Sequence, residues 1–268
     1  MTIFQALVLG IIQGFTELLP ISSSAHLALT PWLLGWPDHG LAFDVALHLG
    51  TLIAIVGYFH EEWRRLILAA VSLVRKRRAE TPEERRVVFL VIATIPAGIA
   101  GLLLEDAAET VFRSPLLIAT NLVVMGILLW AVDRFMSRDR GMESMSWKDA
   151  MVVGLAQCLA LVPGVSRSGS TITAGRALKL TRESAAVFSF LLSMPITLAA
   201  VAFKLPDAVR EAESVIPLAV GVVAAALSAW VAIAVLLRYV ARRSYGVFAV
   251  YRLAFGALIF YLIYARGL

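Results

Sequence analysis

Glu17, Ser23, His26 and Arg167 are the side chains whose types could together carry out a reaction. A carboxylate and an imidazole can take a proton, a hydroxyl can attack, and a guanidinium can hold an oxyanion. Gln13 and Glu17 are spaced i, i+4, so they project from one helix face, and Pro20, Ser22, Ser23, Ser24 and His26 follow within nine residues of Glu17. A second stretch, PGVSRSGST, sets Arg167 between Ser166 and Ser168 and adds Thr171, with Gly164 and Gly169 expected to let backbone approach a ligand closely. Serine hydroxyls, free N–H groups at a helix start and a guanidinium make a phosphate cradle. The joint inventory fits phosphoryl transfer or hydrolysis. The plainer readings are a Glu17 and His26 that merely pair with each other or cap a broken helix, and a capping serine beside an Arg167 that snorkels to headgroups.

The elements that must position these groups are apolar. Hydrophobic residues make up 60% of the 268 and charged ones 16%, with a mean hydropathy of +0.83. That composition describes an integral membrane protein. A charge at membrane depth costs roughly 2.5–3.5 kcal/mol on insertion scales, so Glu17 and Arg167 point to function. The pI of 9.7 does not imply nucleic acid, because the basic residues fall between apolar segments and not in a stripe with interleaved aromatics. The single cysteine, Cys158, excludes an internal disulfide and reads as a small packing residue. The first 63 residues lack Lys and Arg, so no basic leader is expected there.

Six spans are expected near 43–60, 87–104, 115–132, 184–204, 215–237 and 247–264. The segment 60–86 holds eight Lys/Arg and is placed in the cytoplasm by the positive-inside rule. The acidic segment 105–114 then falls outside, 133–149 inside, 204–214 outside and 238–246 inside. Two stretches remain, 1–36 and 149–182, and they repeat one another: 6–27 returns at 150–171, with Gly10 over Gly154, Gln13 over Gln157 and Ser24 over Ser168. Charge places both ends of the second on the cytoplasmic side and both ends of the first outside. The expected fold is therefore all-α: a single transmembrane domain, 1–268, of six full transmembrane helices plus two re-entrant helical hairpins. Its two inverted-topology repeats are about 1–135 and 145–268, with the broken helices meeting near the midplane. Gly10 and Gly14 form a GxxxG suited to close helix contact. His48 and Asn121 read as interhelical hydrogen bonders, and Arg252 as snorkelling or structural. Trp32, Trp36, Trp63, Trp130 and Trp147 read as interfacial anchors, and the run 75–78 as a topology determinant with anionic-lipid contact second.

On QGFTELLPISSSAH, from Gln13 to His26, and on the PGxSRSxxT pattern, from Pro163 to Thr171, the chain resembles the undecaprenyl-diphosphate phosphatase family, the bacitracin-resistance type of membrane phosphatase. The resemblance implies removal of the terminal phosphate from a polyprenyl diphosphate lipid, recycling the carrier for peptidoglycan. It also implies a divalent cation, Mg²⁺ or Ca²⁺, and a site facing the outside of the bacterial inner membrane. The family's acidic pair falls on Gln13 and Glu17, its serine and histidine on Ser22, Ser23 and His26, and its arginine loop on Ser166, Arg167, Ser168 and Thr171. Since Gln13 adds no second charge, a metal would rely on Glu17, amide oxygen, water and substrate phosphate. Ser23 is the preferred nucleophile, with Glu17 or His26 taking its proton; a phosphohistidine at His26 is the rival. Transport of a polyprenyl phosphate is the alternative function. Expected partners are the lipid substrate and membrane lipids, with no nucleic acid; a homodimer is compatible with the sequence.

Overall fold

The computed structural model describes residues 1–104, 111–211 and 214–266. Among the described residues eleven α-helices run in order: α1 Ile3–Leu18, α2 Ser23–Leu34, α3 Gly40–Tyr58, α4 His60–Lys76, α5 Pro82–Leu103, α6 Pro115–Phe135, α7 Trp147–Cys158, α8 Arg167–Ala177, α9 Arg182–Glu211, α10 Val215–Val240 and α11 Gly246–Arg266. Among the described residues the one β feature is an isolated bridge between Arg140 and Leu180. Helices α3, α5, α6, α9, α10 and α11 are long and apolar enough to cross a membrane, and they are the six spans expected from the sequence. The segment 60–76, expected to be loop, is a helix. The α9 helix runs on through Pro206, beyond the expected end at 204, and an Asp207–Arg210 pair lies in its final turns. Glu105, Asp106, Glu109 and Glu213 of the expected outer segments lie outside the described residues.

Each repeated stretch is two short helices with a break between them. Helix α1 starts on a capping box of Thr2 with Gln5, and α7 on one of Ser146 with Asp149. Pro20 and Pro163 come after the two first helices, where a missing N–H prevents continuation. The chain resumes at Ser22 and at Ser166, which cap α2 and α8 by accepting from Ala25 N (3.3 Å) and Gly169 N (3.0 Å). Both stretches return to where they begin. Phe4 and Trp36, near the ends of the first, stack edge-on with centroids 6.3 Å apart. Arg140 joins the ends of the second: its guanidinium donates to Asp149 (2.7 Å) and to Leu178 O (3.0 Å), and its backbone pairs with Lys179 and Thr181. Burial opposes the charge on Asp149, yet the bonds from Arg140 and Ser146 hold its pKa below the usual carboxylate range.

Each hairpin sits on the opposite half of the chain: α1 packs on α10, and α7 on α5. A Cβ on Gly10 would lie 2.2 Å from Gly221 O, and one on Gly154 2.7 Å from Ala93 O, so glycine allows these backbones to touch. Gly14, the second member of the GxxxG, meets Ala225 and Ser228 in the same way. The main core gathers Leu18, Ile55, Phe190, Leu192 and Ile233. Below it Asp133, at the end of α6, accepts from Arg176 Nε (3.1 Å), Arg182 Nε (2.8 Å) and Tyr245 N (3.0 Å). This cluster ties the return of the second hairpin to the end of α6. Arg176 is wholly buried, so it is a structural cation and not a free topology charge.

Candidate active site

The two breaks meet. Gly164 N donates to Ser22 Oγ (3.1 Å), and Ser168 Oγ donates to Leu19 O (3.0 Å) and Glu17 O (3.2 Å). Breaking a helix frees carbonyls that a membrane interior cannot hydrate. Arg252 of α11 answers them: it donates to Pro20 O (3.1 Å) in one break and to Gly164 O (2.6 Å) and Val165 O (3.1 Å) in the other. It also donates to Asn121 O (3.3 Å) and Leu122 O (3.2 Å) on α6. Arg252 is 0% exposed, so the snorkelling reading is corrected to the structural one. Asn121 Nδ2 adds a bond to Pro163 O (3.1 Å), so it serves the break in the second hairpin and not the helix-to-helix bond expected of it.

Glu17 is the hub of the polar groups at this joint. Its Oε1 accepts from Arg167 at 2.5 Å. Its Oε2 accepts from Ser23 Oγ at 2.5 Å and from Gln13 Nε2 at 3.1 Å, and lies 3.3 Å from His48 Nε2. The carboxylate is 6% exposed, and a buried charge persists only with this kind of compensation. A capped helix start (Ser23), the last turn of a helix (Glu17) and the first residue of another (Arg167) thus converge, because the loops that carry them are bonded to each other. Arg167 gives one further bond, to Ser189 O (3.4 Å), so most of its five donors are unengaged among the described residues.

His26 stands apart. Its Nδ1 bonds Ser22 O (2.7 Å), its Nε2 meets the Tyr251 hydroxyl (2.6 Å), and its ring stacks on Phe255 at 4.7 Å. The plainer reading, in which Glu17 and His26 pair with each other, is therefore not what the structure shows. Ser22, Ser166, Ser168 and Thr171 are each at most 4% exposed, with their hydroxyls engaged within the protein. Thr171 Oγ1, for one, bonds Arg167 O (2.8 Å) and Ser189 Oγ (2.7 Å). The two glycines serve packing: a Cβ on Gly164 would lie 2.5 Å from Ile118 O, and one on Gly169 2.9 Å from Arg252. This corrects the expectation that they admit a ligand.

His48 was legible only as a polar residue inside a span; its partner across the helix interface is Glu17 itself. Its Nδ1 bonds Asp44 O (2.8 Å), which aims Nε2 at the carboxylate. Ser189 and Tyr251 carried no signal beyond being polar groups in apolar helices. For a cation, Gln13 Oε1 is the relevant oxygen: it is buried beside Glu17 and has no hydrogen-bond partner among the described residues. One carboxylate and one amide oxygen fit a hard cation that takes its remaining oxygens from water and phosphate.

Residues 6–258 match the family described as Bacitracin resistance protein BacA. The chain belongs to that family. Full-length relatives agree. A Gemmatimonas aurantiaca protein is 64% identical over 99% of this chain and 100% of its own length. Proteins of Pelotomaculum thermopropionicum (52% identical, covering 99% and 98%) and Moorella thermoacetica (48%, covering 99% and 100%) are similar over the same extent. All three are named undecaprenyl-diphosphatase. In this BacA chain the residues joined at Glu17 come from both hairpins, and Gln13 and Ser23 belong to the same stretch as the hub while Arg167 crosses from the other.

Proposed function

We propose that this chain hydrolyses undecaprenyl diphosphate to undecaprenyl phosphate and inorganic phosphate, at a site made of Glu17, Ser23 and Arg167 with Gln13 and His48 beside them. The observation that carries the reading is the single carboxylate of Glu17 bonded to a hydroxyl of one hairpin and a guanidinium of the other. A nucleophile next to its base and a cation for the phosphate are the parts phosphoryl transfer requires.

Arg167 turns its unengaged N–H groups to the diphosphate and offsets charge on the transferring group. Ser23 Oγ attacks the terminal phosphorus while its proton passes to Glu17 Oε2. The bond from that phosphorus to the bridging oxygen breaks, and Glu17 returns the proton to the departing lipid phosphate. Water then attacks the phosphoserine, with Glu17 taking its proton and handing it to Ser23 Oγ as phosphate leaves. His26 is assigned the task of fixing the Ser22 loop, since both ring nitrogens are already bonded. Ser22, Ser166, Ser168 and Thr171 shape the cradle from behind. A divalent cation, Mg²⁺ or Ca²⁺, would be held by Glu17 and Gln13 Oε1 and would supply neutralisation of the substrate's phosphates.

The site is assigned to the outer side of the bacterial inner membrane. The first hairpin would enter from the outside and the second from the cytoplasm as inverted repeats, which the swapped packing and the return of each hairpin support. Turnover there recycles the lipid carrier for wall synthesis. The test is phosphate release from a short-chain prenyl diphosphate by purified protein in detergent, where no transport is possible. Wild type should release phosphate and Arg167→Ala should not; a folded wild type without release would end the reading.

A further inference from the structure

Helix α4 lies across the start of α5. Glu62 and Ser72, ten residues apart on α4, reach Arg86 and Glu84, two residues apart on α5, with Ser72 Oγ to Glu84 at 2.7 Å. Ten helical residues span about 15 Å, far more than the two on α5. One face of α4 is packed, at Leu66 and Ala69, while Ile67, Leu68, Val71 and Val74 are exposed at 46–76%. Its charges gather at the two ends, Glu61 and Glu62 in the first turn and Arg75 and Lys76 in the last. Such a helix suits the plane of a membrane surface.

Beneath its first turns, α4, α5 and α9 enclose an apolar groove of about 290 Å³ lined by Trp63, Leu66, Val87, Val91, Ile95 and Pro195. The volume is close to the ~300 Å³ at which ligand pockets begin. Thr94, also in the lining, has its hydroxyl bonded to Leu90 O (2.6 Å). The buried Trp63 indole N–H has no partner among the described residues. Beside Trp63 on α4 stand Arg64, whose side chain is 71% exposed and pairs with Glu61 at 3.2 Å, and Arg65, exposed and in no ion pair among the described residues. Arg75, Arg77 and Arg78, at the far end of α4, are likewise exposed without a carboxylate partner among the described residues. An apolar slot with exposed arginines on the adjoining turn of α4 complements a molecule with an acyl chain and an anionic head.

We propose that this groove is a binding site for an anionic diacyl phospholipid, with an acyl chain between α4, α5 and α9 and its phosphate on Arg64 and Arg65. The site is separate from Glu17 and does not depend on the hydrolytic reading.

The test reconstitutes the full chain in vesicles of equal phosphatidylglycerol and phosphatidylcholine, extracts it in mild detergent and quantifies the retained lipid by mass spectrometry. Wild type should retain phosphatidylglycerol about 25-fold over phosphatidylcholine, with a loss of about fivefold for each of Arg64 and Arg65 removed. Arg64→Gln with Arg65→Gln should bring the ratio to that of the vesicle, and Val91→Trp, which fills the groove, should lower the total lipid retained. Phosphate release by both variants at the wild-type rate shows that they are folded. Equal retention of the two lipids by wild type would overturn the proposal, as would unchanged retention in either variant. Displacement of the retained phospholipid by a polyprenyl phosphate would also overturn it, since the groove would then belong to the substrate's tail.

Discussion

Ser22 and Ser166 hold the same left-handed backbone, with φ of 75° and 74°, at equivalent places in the two repeated stretches. Each caps the next helix, and the hydroxyls of Ser22 and Ser24, like those of Ser166 and Ser168, lie 3.2 Å apart. A serine held at positive φ is strained, and the strain is retained where the surrounding bonds over-determine the loop. The two loops differ in the residue after the cap, Ser23 in one and Arg167 in the other. One backbone device is thus used twice to present opposite halves of a reaction to Glu17.

Glu17→Gln removes the proton acceptor while keeping the shape. Phosphate release from a prenyl diphosphate should fall by about 10²-fold or more, the usual contribution of a positioned base. The drop should appear in kcat, because Ser23 loses activation while Arg167 remains to bind phosphate.

His48→Ala should lower kcat by about tenfold, since the bond that orients Glu17 is worth about 1–1.5 kcal/mol. His48→Gln, which can still donate to the carboxylate, should recover most of the rate. Equal loss in both variants would contradict a positioning role.

Arg252→Lys should destabilise the protein by about 3 kcal/mol, read as a fall in Tm in detergent. An ammonium has three donors and cannot reach the five carbonyls that Arg252 serves, and each unsatisfied buried group costs about 1–3 kcal/mol.

Much of this architecture is legible in the sequence. The six spans come from unbroken apolar runs, and both hairpins from prolines and hydroxyls inside otherwise apolar helices. Gly10, weak as a lone motif, gains meaning from Gly154, since both make the same close contact. Illegible were the partners of isolated polar residues: nothing local says that His48 faces Glu17 or that Arg252 points inward, because three-dimensional neighbours more than eighty residues apart decide it for Arg252. The α4 helix was hidden for another reason. Its charges mark it as a loop on topology rules, while its apolar residues are too few for a span.

Asp149→Asn should flatten the acid limb of stability. The Asp149 pKa lies below its ordinary value of about 3.9 in the folded chain, so its contribution is full above that pH and is lost as pH falls through the lower folded value. Wild-type Tm should therefore decline below about pH 4 more steeply than that of the variant. At neutral pH the lost capping and Arg140 bonds should cost about 1 kcal/mol.

The most direct test of the central claim is to quench the enzyme during turnover of a prenyl diphosphate labelled in its terminal phosphate, and to locate the covalent label. The account predicts an acid-stable phosphoserine at Ser23 that disappears in Ser23→Ala together with activity. An acid-labile label on His26, or undiminished turnover by Ser23→Ala, would contradict it.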